Sequence, residues 1–299
     1  MRRAALGDRS FLGNNIAYPA GGRTGENCLL GTKVMVPLDG EVREGVGLLG
    51  SPSFEIPRTV ARDRAFDHLE TGDERRRRMW AKIRHNAVTA GIFLLANVVN
   101  LYVVGLIGLF ALDDYRRFGI LAVAAATLVS FVVSIAFFVL LERAVTLFRA
   151  MRPRFCSIYD PCFWWHERFW KMSGGAYLAV FNGTPMKNLL WRALGVRIGH
   201  KVFDDGCAIP EKTIVTIGDH ASLNAGSTIQ AHSLEDGTFT SDRITIGPGC
   251  MLGTYAFAHH GVTMEGGSVL DADAFLMKGE DVPARARYRG YPAREAADR

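Results

Sequence analysis

The chain has 299 residues and a net charge of +5, a length that holds about two domains. Its basic excess gathers beside apolar segments, at Arg75, Arg76, Arg77, Arg78, Lys82 and Arg84, which points to anionic membrane lipids and away from nucleic acid. The cysteines, Cys28, Cys156, Cys162, Cys207 and Cys250, are odd in number and form no CxxC pair, which argues against a disulfide framework and a zinc site and for a reduced cytoplasmic setting.

Residues 1–58 carry a period of six: Leu6, Leu12, Tyr18, Thr24 and Leu30 recur at that spacing. Six is neither the helical 3.6 nor the strand period of two, and it marks a hexapeptide β-helix. No apolar stretch opens the chain, so no signal peptide is expected. The thirty residues that carry the period make fewer than two coils of about eighteen residues, whereas a solenoid needs about three repeats to bury a core. It is therefore expected to stack on upstream sequence or on another chain.

Residues 59–86 read as a basic cytoplasmic linker or helix, and residues 87–141 as a transmembrane helical hairpin. Its two apolar spans, 87–110 and 118–141, are each long enough to cross the roughly 30 Å hydrocarbon core. Ala111 to Arg117 is expected as the tight loop, and Asn97 and Asn100 as hydrogen-bonding glue between the spans. Arg143, Arg149, Arg152 and Arg154 follow the second span, so both flanks are basic and both termini are expected in the cytoplasm. That is the topology of a multi-pass protein of the inner, cytoplasmic membrane. Residues 142–193 hold the run FCSIYDPCFWWHERFWKM, in which Trp164, Trp165 and Trp170 predict an interfacial aromatic segment lying on the membrane surface. Cys162 and His166 there do not amount to a metal site.

Residues 194–299 read as a complete hexapeptide β-helix with a tail. Ile217, Leu223 and Ile229 lead successive hexads, and Ile246, Leu252, Ala258, Met264, Leu270 and Leu276 continue the series. The step from Ile229 to Ile246 is almost three hexads where one would serve, so an excursion must leave the solenoid between Glu235 and Thr245. Excursions of this kind build binding loops. Cys28 and Cys250 fall on the small fifth place of their hexads and read as interior packing. Aligning the blocks at a constant offset of 246 puts Leu6 on Leu252 and Leu30 on Leu276. Further along, Gly40-Glu41 and Gly50-Ser51-Pro52 correspond to Gly279-Glu280 and Gly290-Tyr291-Pro292, with one residue of slippage between the two pairs, so the chain contains an internal duplication.

The segments IGDHASLNAGSTIQAHSLEDGTF, GTYAFAHHGVTM, FLMKGEDVP and GYPAR resemble hexapeptide-repeat acyltransferases. Over nearly the whole chain they are similar to the membrane-embedded C-terminal region of single-module nonribosomal peptide synthetases of the poly-lysine synthetase type. The resemblance implies a mainly β protein: left-handed parallel β-helix units, one partial and one complete, joined by a two-helix transmembrane hairpin. It implies acyl or aminoacyl transfer from a phosphopantetheine thioester, on a carrier protein or coenzyme A, to an amine, with no tightly bound cofactor. The implied partners are an upstream or separate adenylation and carrier protein and further β-helical units arranged as an oligomer or pseudo-trimer. No adenylation or carrier sequence is present in the chain. A noncatalytic membrane scaffold and a simple coenzyme A-dependent acetyltransferase are the alternatives.

An attacking amine is protonated at neutral pH and needs a general base, for which neutral histidine is the usual choice. With the excursion taken out of the count, Ala258 stands one coil above Ile229, which brings His259 and His260 near His232. Glu235 and Asp236 of the excursion are candidates to orient a histidine tautomer or to bind an ammonium group. Gly290, Pro292, Ala293 and Arg294 resemble the element that closes hexapeptide acyltransferases near the pantetheine. They also fit a plain turn that ends the solenoid, and His220 reads as structural.

Overall fold

Each hexad folds as a short strand followed by a corner, and each strand hydrogen-bonds to the strand one coil later. In the second block Thr245 pairs with Thr263, Met251 with Val269 and Phe257 with Phe275, all parallel and each stepping three hexads along the chain. Residues 3–59, 63–69, 71–172 and 175–296 are described in this computed structural model. The result is the expected left-handed parallel β-helix, with its inward column of Ile246, Leu252, Ala258, Met264, Leu270 and Leu276 fully buried. Cys28 and Cys250 also have no exposed surface, and His220 sits at a corner with φ 58°.

The first block folds by the same rule, with Phe11 paired to Leu29 and Leu29 to Gly47. Its inward column shows what stacking contributes: Leu12 is 48% exposed, whereas Leu30 and Leu48 are 0% and 1% exposed because neighbouring chain covers each side of them. Burying one such leucine stabilises a fold by roughly 1.5–3 kcal/mol. The block also packs sideways on the second β-helix, where Leu49 and Ile56 meet Phe257, Phe275 and Tyr291. Asn14 donates to Gln230 at 3.1 Å, and Lys33 pairs with Asp273.

Both copies end in an antiparallel hairpin: Gly47–Leu49 with Phe54–Ile56, and Arg287–Arg289 with Arg294–Glu295. Cis prolines Pro52 and Pro292 occupy the two turns. These landmarks superpose at an offset of 240, so Leu6 corresponds to Ile246 and Leu30 to Leu270. The offset of 246 is one hexad too long. Every hexad presents the same inward pattern, so periodicity alone cannot set absolute register, whereas a hairpin that occurs once per copy does.

Helix α1 (Gly72–Phe118) and helix α2 (Ile120–Val145) form the hairpin, and each is long and apolar enough to cross a membrane. The reversal sits at Gly119, with φ 59°, and not in the expected loop from Ala111 to Arg117. That stretch contains no helix breaker, and the helix runs on until a residue tolerates the left-handed region. Asn97 donates to the carbonyl of Phe93 in its own helix, and the Oδ1 of Asn100 is shielded without a partner, so neither joins the helices as expected.

Helix α3 (Pro161–Lys171) corrects the reading of the aromatic segment. Phe163, Trp164, His166 and Phe169 are buried in protein contacts, and only Trp165 of the three tryptophans is left exposed. Its apolar residues recur at helical spacing and form one stripe, and that stripe packs on α1 and the excursion. Helix α4 (Pro185–Leu194) covers the entry to the second β-helix with Trp191 and Leu194, and it stops at Gly195, with φ 103°.

Two buried ion pairs tie helices to solenoid: Lys212 meets Glu142 of α2 at 2.6 Å, and Lys187 of α4 meets Asp204 at 3.1 Å. Losing one partner of a buried pair strands the other charge. Lys212→Met is therefore expected to cost about 3–5 kcal/mol, and the double variant Glu142→Leu/Lys212→Met to recover most of it. Thermal unfolding of the detergent-solubilised chain checks this; equal losses in the two variants would contradict it.

Candidate functional site

The excursion leaves the solenoid at the seam between the two β-helices. Thr228 pairs with Phe257, well beyond the residue that a plain coil would bring beside it. The extra chain forms a hairpin of His232–Glu235 and Thr238–Ser241, turned at Asp236 and Gly237, both with positive φ. Arg154–Ser157 adds a third antiparallel strand, so the loop is clamped from the segment that follows α2.

Alternation along His232–Glu235 sends its side chains to two sides. His232 faces α3. Its Nδ1 lies 2.7 Å from Oε1 of Glu211, and its ring packs against Trp170 with centroids 4.4 Å apart. Glu211 has no exposed surface, yet it gathers donors from three directions. The indole N–H of Trp170 donates to Oε1 at 2.6 Å, the backbone N–H of Ala231 donates to Oε2 at 2.9 Å, and Nε2 of His166 lies 3.4 Å from Oε1. Burial alone would raise its pKa, but the contacts with His166 and His232 outweigh it and hold the carboxyl far below the usual range. The 2.7 Å contact is not aligned as a hydrogen bond, but a carboxylate this close to Nδ1 favours the proton there and leaves the lone pair on Nε2.

Ser233 points the other way, with Oγ 3.1 Å from Nε2 of buried His260. His259 is buried beside it, and its Nδ1 accepts the backbone N–H of His260 at 2.9 Å. Burial, followed by the neighbouring charges of His260 and Lys278, pushes the His259 pKa well below its ordinary value, so this ring is neutral. His259 lines a cavity of about 250 Å³ between the two β-helices, with Leu49, Phe275 and Met277 as apolar wall and Glu235, Lys278 and Arg58 at its polar end.

Of the excursion carboxylates, Glu235 forms an ion pair with Lys278 and Asp236 with Arg58. Glu211, well upstream of His232 in the chain, takes the orienting position. Nothing in its local sequence, Ile209-Pro210-Glu211-Lys212, distinguishes it; only a buried carboxylate's need for donors does. His166 and Trp170 were read as part of a membrane-surface segment, and the fold brings both to Glu211. Gly290, Tyr291 and Pro292 form the turn that closes the second β-helix, Ala293 is buried in its core, and Arg294 reaches Glu280 at 3.4 Å. Tyr291 of this turn packs on Phe275 at the seam. Among the described residues, no group of three or more His, Cys, Asp and Glu is arranged to hold a metal ion.

No family model matches the chain. Over 300 aligned residues, 98% of the chain, it is 26% identical to the Delta-poly-L-ornithine synthetase of Acinetobacter baumannii. This chain resembles one region of a poly-amino-acid synthetase. It spans 22% of that relative's length. A hexapeptide-repeat acetyltransferase from Vibrio cholerae is 20% identical over 40% of this chain and 85% of its own, with a TM-score of 0.33. A maltose O-acetyltransferase from Clostridium difficile is 15% identical over 48% of this chain and 91% of its own, with a TM-score of 0.34. The β-helix rests on its own strand registers and not on these scores.

The buried neutral imidazole of His259 makes stability depend on pH in one direction. Unfolded, the ring takes a proton near pH 6.5; folded, it does so only far lower, so unfolding takes up a proton in between. Stability is therefore expected to fall as pH drops below 6.5, by up to about 1.4 kcal/mol per pH unit for this group. His259→Asn should flatten the slope between about pH 6.5 and 5 in denaturant titrations, and an unchanged slope would contradict the assignment.

Proposed function

We propose that this chain is the acyl-transfer region of a membrane-anchored, poly-amino-acid synthetase-like system. It would form amide bonds from a pantetheine thioester, with the α1–α2 hairpin in the inner membrane and both β-helices on the cytoplasmic side. The observation that carries the reading is the Glu211–His232 dyad, set where the excursion leaves the seam between two β-helices. Gln230, two residues before His232, touches the first β-helix through Asn14.

In this reaction the amine nitrogen attacks the thioester carbonyl carbon, a C–N bond forms and the C–S bond breaks. The substrate ammonium first releases one proton to solvent; as the free amine attacks, His232 Nε2 takes a second proton from its nitrogen and passes it to the leaving thiolate. Glu211 supports the imidazolium between those transfers, as a buried carboxylate does for a catalytic histidine. Across the excursion strand from His232, the apolar wall of Leu49, Phe275 and Met277 suits a pantetheine arm, and His259 is a neutral wall of that cavity. The relative's name motivates a cationic amino acid as substrate, and the 22% span motivates adenylation and carrier functions supplied from outside this region. Further β-helical units would pack beside these two as a pseudo-trimer.

The test is thioester consumption with a loaded carrier protein, compared with an acyl-coenzyme A. His232→Ala is expected to lower turnover about a thousandfold and Glu211→Gln about 10–100-fold, with KM little changed. Turnover unaffected by either substitution would leave a noncatalytic scaffold as the answer. Coenzyme A replacing the carrier at equal efficiency would select the simple acetyltransferase.

A further inference from the structure

Helix α2 ends in an uncommon reversal. Leu147 and Phe148 are consecutive non-glycine residues in the left-handed region, with φ of 52° and 57°. Bulky residues rarely adopt that backbone. The turn is held by the Phe148 N–H donating to the Arg143 carbonyl at 2.8 Å, and by the Arg143 guanidinium donating back to the Phe148 carbonyl at 3.1 Å. Its effect is to leave Leu147 73% and Phe148 58% exposed directly beyond the apolar span.

A cavity of about 550 Å³ opens beside this turn, between the 145–154 segment and α3. Leu147 and the exposed face of Trp165 give it an apolar rim, and Arg149, Arg152 and Arg154 give it three guanidiniums. Among the described residues none of these three side chains makes an ion pair or a hydrogen bond. Other arginines nearby are committed: Arg78 to Glu74 and Asp160, Arg168 to Thr89, and Arg143 to carbonyls. The backbone that carries the uncommitted arginines is nonetheless anchored. Met151 N–H donates to Thr213 Oγ1 and Arg154 N–H to Ser241 Oγ, each at 3.0 Å. The floor of the cavity is His166, which hydrogen-bonds Glu211 of the dyad.

Uncommitted guanidiniums on a fixed backbone match a phosphate group, and exposed apolar side chains at the end of an apolar helix match acyl chains. We infer that this cavity is a binding site for the headgroup of an anionic phospholipid drawn from the bilayer around α2. The inference rests on reading α1–α2 as a membrane hairpin. It places a lipid phosphate next to His166, so that occupancy bears on the side of α3 that packs against His232.

The experiment uses the full chain in detergent micelles, with phosphatidylglycerol or phosphatidylcholine added and retained lipid counted by native mass spectrometry. Wild type is expected to retain phosphatidylglycerol, and Arg149→Gln/Arg152→Gln/Arg154→Gln to lose about tenfold or more of that retention. Arg75→Gln/Arg76→Gln/Arg77→Gln, which removes the same charge from the start of α1, should leave retention within about twofold of wild type. Equal losses in the two triple variants would reduce the effect to general electrostatics and overturn the site. Displacement of the lipid by millimolar inorganic phosphate would show a free-anion site and overturn the lipid assignment. Flotation with phosphatidylcholine vesicles separates the two readings: a chain that floats but shows no phosphatidylglycerol preference overturns the site alone, and a chain that does not float overturns the hairpin as well.

Discussion

A carboxylate with no access to water has to be surrounded by donors, and Glu211 is the point at which this structure meets that requirement. Its oxygens are reached by His232 from the excursion, His166 and Trp170 from α3, and the Ala231 backbone from the solenoid itself. A group desolvated without such partners would cost several kcal/mol. The requirement therefore joins three elements of the fold. The next residue, Lys212, points the other way and meets Glu142 at the end of α2. One dipeptide thus connects the α1–α2 hairpin to the imidazole of His232.

The second organising contact is lateral. A β-helix closes its core by stacking coils, but its flat faces stay available for packing, and the face built from Thr228, Phe257 and Phe275 takes the first block. The seam it forms is apolar in the middle and bounded by ion pairs that cross between the two units, Lys33–Asp273 on one side and Arg58–Asp236 on the other. The cavity lined by His259 and Lys278 sits in that seam, so neither block alone contains it. The partial block contributes to the site by supplying a wall, and its own open coil, with Leu6 and Leu12 half exposed, touches the second β-helix through Asn14.

Much of the architecture was legible because it depends on periodic burial. The hexads at Ile246, Leu252 and Leu270 require an inward column, and the surplus of chain after Ile229 requires an excursion wherever the coils go. Register between the copies was less secure, since equivalent hexads carry no position label, and only the hairpins with Pro52 and Pro292 supply one. The aromatic run at 155–172 was read from composition as a surface belt. Its spacing of Phe163, His166, Phe169 and Trp170 is that of a helix stripe, and the stripe is turned into the protein.

His232 and His259 were visible as candidates because a solenoid converts sequence distance into coil height. Glu211 and Trp170 were not, since they meet His232 from other parts of the fold, Trp170 from outside the solenoid altogether. The sequence by itself determined the repeat, the two apolar spans and the place where the coil is interrupted, because each is a local pattern that backbone geometry and burial impose residue by residue. Only the tertiary structure decided which carboxylate faces which histidine and which wall closes the cavity. Those pairings are settled by desolvation between segments far apart in the chain, and no local pattern encodes them.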